Sequence, residues 1–223
     1  MNPCDVKKQN VDFLMSQTKE ILLWSQENFE EKIFMTSAFG PNGIILLDLV
    51  QDIIPDVPVY FIDTGYHFKE TLELKEYYRQ LGHNVIDISS QVNNKESQLE
   101  TLDHDLCCQI NKVEPMRELL KGREGFLWIT ALSRDQSESR RNTSILQLVS
   151  KGISKVNPLF AWTIDDIWYY ISKNHLVYNK LHDQGYKSIG CQPCTNVVLS
   201  GEDIRAGRWR GYKKEECGLH TKL

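Results

Sequence analysis

The chain has 223 residues, 41% hydrophobic and 25% charged, with a formal net charge of -4. That length supports one substantial core, and the charge gives no reason to expect a nucleic-acid partner. No apolar run reaches membrane-spanning length and the first eight residues lack a secretory apolar segment, so a cytoplasmic protein without a membrane partner is expected.

In chain order, residues 11–27 read as a helix with Val11, Leu14, Met15, Ile21, Leu22 and Trp24 near one side. Residues 32–37 read as a buried strand, running through the loop Ala38-Phe39-Gly40-Pro41-Asn42-Gly43 into an apolar helix. Residues 57–62 form a second strand ending in Asp63-Thr64-Gly65, and a charged helix follows over 69–81. Residues 84–88 make a third strand, 114–120 a helix, 126–132 a fourth strand and 159–162 a short further strand. Thr163 caps a helix reaching residue 172, because Asp165 and Asp166 fall in its first turn. Strands alternating with helices predict an α/β fold, a parallel twisted sheet with helices on both faces. Residues 1–204 read as one domain and 205–223 as a mobile tail.

Ligands in such sheets sit beyond the carboxyl ends of the strands. Ser37, Phe39 and Gly40 stand where a helix N-terminus favours an anion. The loop lacks the Walker and dinucleotide fingerprints, so an ordinary strand-to-helix turn is the competing reading. Asp63, Thr64 and Gly65 suit a ribose or a base edge, or else a helix cap. Arg134 and Arg140 follow the fourth strand, where forked guanidinium groups could hold phosphate or sulfate.

Cys107-Cys108 and Cys191-Gln192-Pro193-Cys194 supply four candidate metal ligands. A [4Fe–4S] cluster, a structural zinc or a disulfide are the alternatives. Adjacent cysteines in a helix diverge by about 100°, which suits two irons of a cluster better than one small ion. Cys217 lies near the chain end, where a thiol can visit two partners.

Residues 61–65 and 128–137, Asn157-Pro158-Leu159-Phe160-Ala161-Trp162-Thr163, residues 185–195 and Glu216-Cys217-Gly218-Leu219-His220 resemble the adenylyl-sulfate / phosphoadenylyl-sulfate reductase family. The quartet is similar to that of its iron–sulfur, assimilatory adenylyl-sulfate branch. The resemblance implies an adenine nucleotide alpha-hydrolase-like fold and reduction of adenosine 5'-phosphosulfate (APS) to sulfite and AMP. It implies a [4Fe–4S] cofactor on Cys107, Cys108, Cys191 and Cys194, with Lys112 between cluster and substrate. It further implies Cys217 as nucleophile, cationic Arg205, Arg208 and His220 around the sulfate, and thioredoxin or a similar dithiol as partner. The 3'-phosphorylated nucleotide (PAPS) as substrate, a sulfurtransferase-like activity and a nucleotide-binding sensor are the rival readings. Whether the chain forms a homo-oligomer is left open.

Overall fold

The structure, a computed structural model, describes residues 3–90, 103–149, 152–221 and 223. The elements are α1 (Pro3–Phe29), β1 (Ile33–Thr36), α2 (Pro41–Ile53), β2 (Val59–Asp63), α3 (Lys69–Gln80) and β3 (Val85–Ser89). Then come α4 (His104–Cys108), a π-helical turn (Gln109–Val113), α5 (Glu114–Leu120), β4 (Leu127–Ile129), β5 (Leu146–Leu148), β6 (Ser154–Val156) and α6 (Ile164–Lys173).

The described strands form one six-stranded sheet in the order β3-β2-β1-β4-β6-β5, parallel except for β5. Alternation along the strands sends residues to two separate cores. Ile33, Met35, Val59, Phe61, Leu127 and Ile129 join α1, α2, α3 and α6 on one face. Phe34, Tyr60 and Trp128 join Met116 and Leu120 of α5 on the other. The second face is completed by the chain's own C-terminus, since Leu219 and Leu223 pack against this smaller core. The sheet is thus covered on both sides, as expected, but the tail does part of the covering.

Three expectations are corrected. Residues 159–162 are a turn, closed by Phe160 N–H to Asn157 O (3.1 Å) and Trp162 N–H to Leu159 O (3.0 Å). Pro158 has no N–H for a ladder, and Trp162 instead donates its indole N–H to Thr18 Oγ1 of α1 at 3.0 Å. The β5–β6 hairpin was not expected: its strands are three residues each, and buried Lys155 breaks the apolar pattern. β4 is shorter than expected, ending at Ile129, so that residues 130–132 are free to line a site. Thr163 caps α6 as expected, accepting from Asp166 N–H at 3.2 Å, while Asp166 accepts in return from Thr163 N–H at 3.0 Å.

From β1 the chain moves outward to β2 and β3, then returns to place β4 on the other side of β1. The gap beyond the carboxyl ends of β1 and β4 is therefore the switch point where an open α/β sheet binds ligands.

Candidate active site

A crevice of about 350 Å³ opens at that point, within the range of small-molecule sites. Its floor and walls include Ser37, Gly40 and Gly43 after β1, Tyr60–Ile62 of β2 and Thr130–Leu132 after β4. The β1 loop is shaped by Phe39, whose φ of 55° is left-handed although it is not glycine. Its ring is buried against Phe61 and Tyr78, and its N–H donates to Ser37 Oγ at 3.1 Å. That anchor turns Gly40 and the start of α2 toward the crevice. Asn42 Nδ2 donates to Ser133 Oγ at 3.2 Å, tying the loops after β1 and β4 together.

The cationic side is built from distant segments. Lys112, Arg140, Arg205 and Arg208 all line the crevice, as do Cys217 and His220 of the tail. Burial alone would lower the pKa of Lys112, but the negative potential of Cys191, Cys217 and Cys108 outweighs it and raises the value. Burial brings Arg205 down to about 10, so it remains charged at neutral pH. Arg208 lies over the Trp209 ring with 4.5 Å to its centroid. Gly190 makes room for it: a β-carbon there would stand 2.2 Å from Arg208 Nη2. Buried side-chain nitrogens of Arg208, Trp209 and His220 have no hydrogen-bond partner among the described residues, and all three residues line this crevice. Buried polar atoms rarely go unpaired, so their concentration here marks a place for a polar ligand.

His220 stacks on Trp128 with 5.3 Å between rings. Burial, then the nearby charges of Arg140 and Lys155, depress its pKa to about 3. Burial in this crevice favours the neutral imidazole, where the resemblance implies a cation beside the sulfate. The acids beside the thiol are also resolved. Glu216 pairs with Arg140 and Arg205, and although burial works the other way, Arg140 holds its pKa below the ordinary value.

Cys107, Cys108, Cys191 and Cys194 surround a second, smaller cavity. All four are free thiols, which corrects the disulfide alternative. Asp103 caps α4 by accepting from Asp105 N–H (2.9 Å) and Leu106 N–H (3.0 Å), which presents the adjacent cysteines. Polar groups already meet the sulfurs: Thr64 Oγ1 is 3.3 Å from Cys191 Sγ, and Asn111 Nδ2 is 3.6 Å from Cys107 Sγ. Burial pushes the Cys108 thiol up to about 11. At Cys191 burial acts in the same sense, but Lys112 and the Thr64 contact outweigh it and lower the pKa. Among the described residues no group of three or more His, Cys, Asp or Glu side chains is placed to hold a metal ion. The chemistry of the donor set, four unpaired thiols lining one cavity, is nonetheless that of an iron–sulfur cluster site. Lys112 lines both cavities and is the residue that joins them.

Five expected substrate residues fall outside the crevice lining. Phe39 is in the core, as described. Asp63 closes its own turn by accepting from Gly65 N–H at 2.7 Å. Thr64 faces the cysteine cavity, and Gly65, at φ 73°, serves the same turn. Arg134 donates through Nε to Thr143 O at 2.9 Å and packs over Phe160. These groups shape the loops, and no ribose or phosphate contact follows from where they lie. The sequence reading gave no site role to the crevice residues Gln136, Trp168, His182 and Trp209, although Gln136 lies within the 128–137 stretch that carries the resemblance.

Residues 32–197 match the family described as the phosphoadenosine phosphosulfate reductase domain. The chain is 41% identical to "Adenosine 5'-phosphosulfate reductase" of Lysinibacillus sphaericus, covering 94% of this chain and 93% of that protein. It is 42% identical to "Adenosine 5'-phosphosulfate reductase 1" of Bacillus subtilis, with 90% and 89% covered. A crystal structure of phosphoadenylyl-sulfate reductase from Candida auris superposes with a TM-score of 0.69 at 28% identity, covering 85% of this chain and 97% of that one. The FMN adenylyltransferase of Candida glabrata shares the fold alone, with a TM-score of 0.65 at 15% identity and coverage of 88% and 68%. On its sequence and its fold, an adenine nucleotide alpha-hydrolase-like one, the chain belongs to the phosphoadenosine phosphosulfate reductase family.

Proposed function

We propose that the chain reduces APS to sulfite and AMP in sulfate assimilation, with Cys217 as nucleophile and a thioredoxin-like dithiol as reductant. The observation that carries this reading is the meeting of the tail thiol with Lys112, Arg205 and Arg208 in one crevice of nucleotide size. The names of relatives sharing about two residues in five support APS over PAPS.

The Cys217 thiolate attacks the sulfate sulfur. A sulfur–sulfur bond forms, the bond to the bridging oxygen breaks, and AMP leaves with that electron pair. Lys112, Arg205 and Arg208 offset the negative charge that would repel the thiolate and stabilise the charge shifting to the leaving phosphate. The tail then leaves the crevice. One thiolate of the dithiol attacks Cys217 Sγ and expels sulfite; its second thiol resolves the mixed disulfide and returns Cys217 reduced. The donor loses two electrons and the sulfur gains them.

Cys107, Cys108, Cys191 and Cys194 would hold a [4Fe–4S] cluster. When bound it supplies a fixed local charge and a structural cross-link beside Lys112. Incubating the protein with APS and no reductant is expected to add one sulfonate mass to the Cys217 peptide and to release about one AMP per chain. The added mass on another cysteine, or turnover by Cys217→Ser, would overturn the mechanism. PAPS used at least as well as APS would reassign the substrate.

A further inference from the structure

Glu216 immediately precedes the tail thiol, and three side chains meet its carboxylate. Arg140 donates in a fork, Nε to Oε1 at 2.7 Å and Nη2 to Oε2 at 2.8 Å. Ser139 Oγ donates to Oε1 at 3.2 Å, and Arg205 Nη2 lies 3.4 Å from Oε2. Both side chains of the fork keep only 17% exposure. A forked pair fixes orientation as well as distance, and burial shields it from the screening that weakens surface pairs.

Arg140 is itself held. Its Nη1 donates to Gln136 Oε1 at 2.6 Å. That amide oxygen also accepts from Ser133 N–H at 3.2 Å, and Gln136 Nε2 donates to Ala131 O at 3.2 Å. An unbroken chain of contacts therefore runs from Ala131, in the loop after β4, to the residue before Cys217. On the far side of the thiol, Leu219 packs on the smaller core and His220 stacks on Trp128. Cys217 and Gly218 are slung between two anchors.

We propose that Glu216 is a positioning residue: the Arg140–Glu216 fork clamps the tail so that Cys217 is held for attack on the substrate's sulfur. Arg140 then serves the tail, Lys112 and Arg208 serve the anion, and Arg205, whose Nη2 donates to Glu215 O at 2.6 Å, stands between the two. The proposal rests on the functional reading above, because it takes Cys217 as the nucleophile. A displacement of about 1 Å in a reacting atom costs about a hundredfold in rate. Glutamine at 216 keeps the shape but can no longer accept both arms of the fork. Aspartate keeps the charge but falls one methylene short.

The test uses the full chain as wild type, Glu216→Gln and Glu216→Asp, with three readouts. These are alkylation of Cys217 by iodoacetamide without nucleotide, single-turnover sulfonation of Cys217 by APS, and AMP affinity by calorimetry. Glu216→Gln is expected to be alkylated roughly fivefold faster and sulfonated roughly tenfold or more slower, with AMP affinity within about twofold of wild type. Glu216→Asp should lie between. Unchanged alkylation and sulfonation would overturn the clamp. So would markedly tighter AMP binding by Glu216→Gln, which would make Glu216 a competitor for the nucleotide's place on Arg140. A wild-type protein inert toward APS would sink the functional reading, and the alkylation arm would still decide the clamp.

Discussion

Lys112 reaches its place because the helix that presents Cys107 and Cys108 widens into a π turn before α5 begins. Such turns recur at functional sites. Here the turn sets one ammonium between the thiol cavity and the crevice. Removing a charge-assisted contact that tightens in the transition state costs about 3 kcal/mol, or roughly a hundredfold in rate. Lys112→Ala is accordingly expected to fold and bind AMP, yet to sulfonate Cys217 about a hundredfold more slowly in single turnover. A rate near wild type would show that the ammonium serves the fold alone. Composition alone would read a lone lysine after a cysteine pair as surface charge; only the resemblance points to this place for Lys112. Arg134 shows the converse. Its position after β4 suggested an anion ligand, yet it spends its guanidinium on Thr143 O and Phe160. Sequence places a side chain near a strand end; which neighbour captures it is settled by packing across segments far apart in the chain.

Elements with their own periodicity were readable, and those defined by partners were not. β1, β2 and β4 are apolar runs buried on both faces, the mark of central parallel strands. β6 pairs with β4 on one side and with the edge strand β5 on the other, but both strands are only three residues long, too short for an alternation to be read from sequence. The tail is the extreme case, since its order comes from Trp128, Arg140 and the smaller core rather than from a pattern of its own. That dependence makes its docking sensitive to pH. His220 titrates near 6.5 when free and near 3 when docked, under burial and the charges of Arg140 and Lys155, against the opposing pull of Glu216. Between those values the undocked tail binds the extra proton, so docking is intact above about pH 6.5 and weakens as pH falls below it. Each unit of acidification costs about 1.4 kcal/mol within that window. Hydrogen-exchange protection factors for the tail should fall roughly tenfold from pH 7.5 to 5.5, and His220→Gln should remove the slope. Equal protection at both pH values in wild type would refute the neutral, buried imidazole.

At the scale of the whole molecule, the thiol cavity is where three segments are joined. α4 brings Cys107 and Cys108, the turn after residue 190 brings Cys191 and Cys194, and the start of the tail is laced to both. Trp209 N–H donates to Cys194 O at 3.0 Å, and Thr195 and Arg208 form an isolated bridge. Tyr212 packs edge-on to His104 with 4.3 Å between rings, and Lys214 pairs with Asp105. A cluster on the four sulfurs would thus act as a covalent staple across a long stretch of sequence, and would hold the tail's base as well as the loop. Closing a loop of that size contributes about 2–4 kcal/mol, judged by the cost of losing a comparable disulfide. For a chain of this size that corresponds to roughly 4–16 °C in Tm. Anaerobically purified wild type is therefore expected to carry about four irons and four sulfides per chain. Cys194→Ser should lose the iron and melt lower by that margin, and its tail should exchange amide hydrogens faster. Zinc in place of iron in the wild type would refute the cluster. An iron-free Cys194→Ser that melts like wild type would show that the four cysteines do not staple the fold.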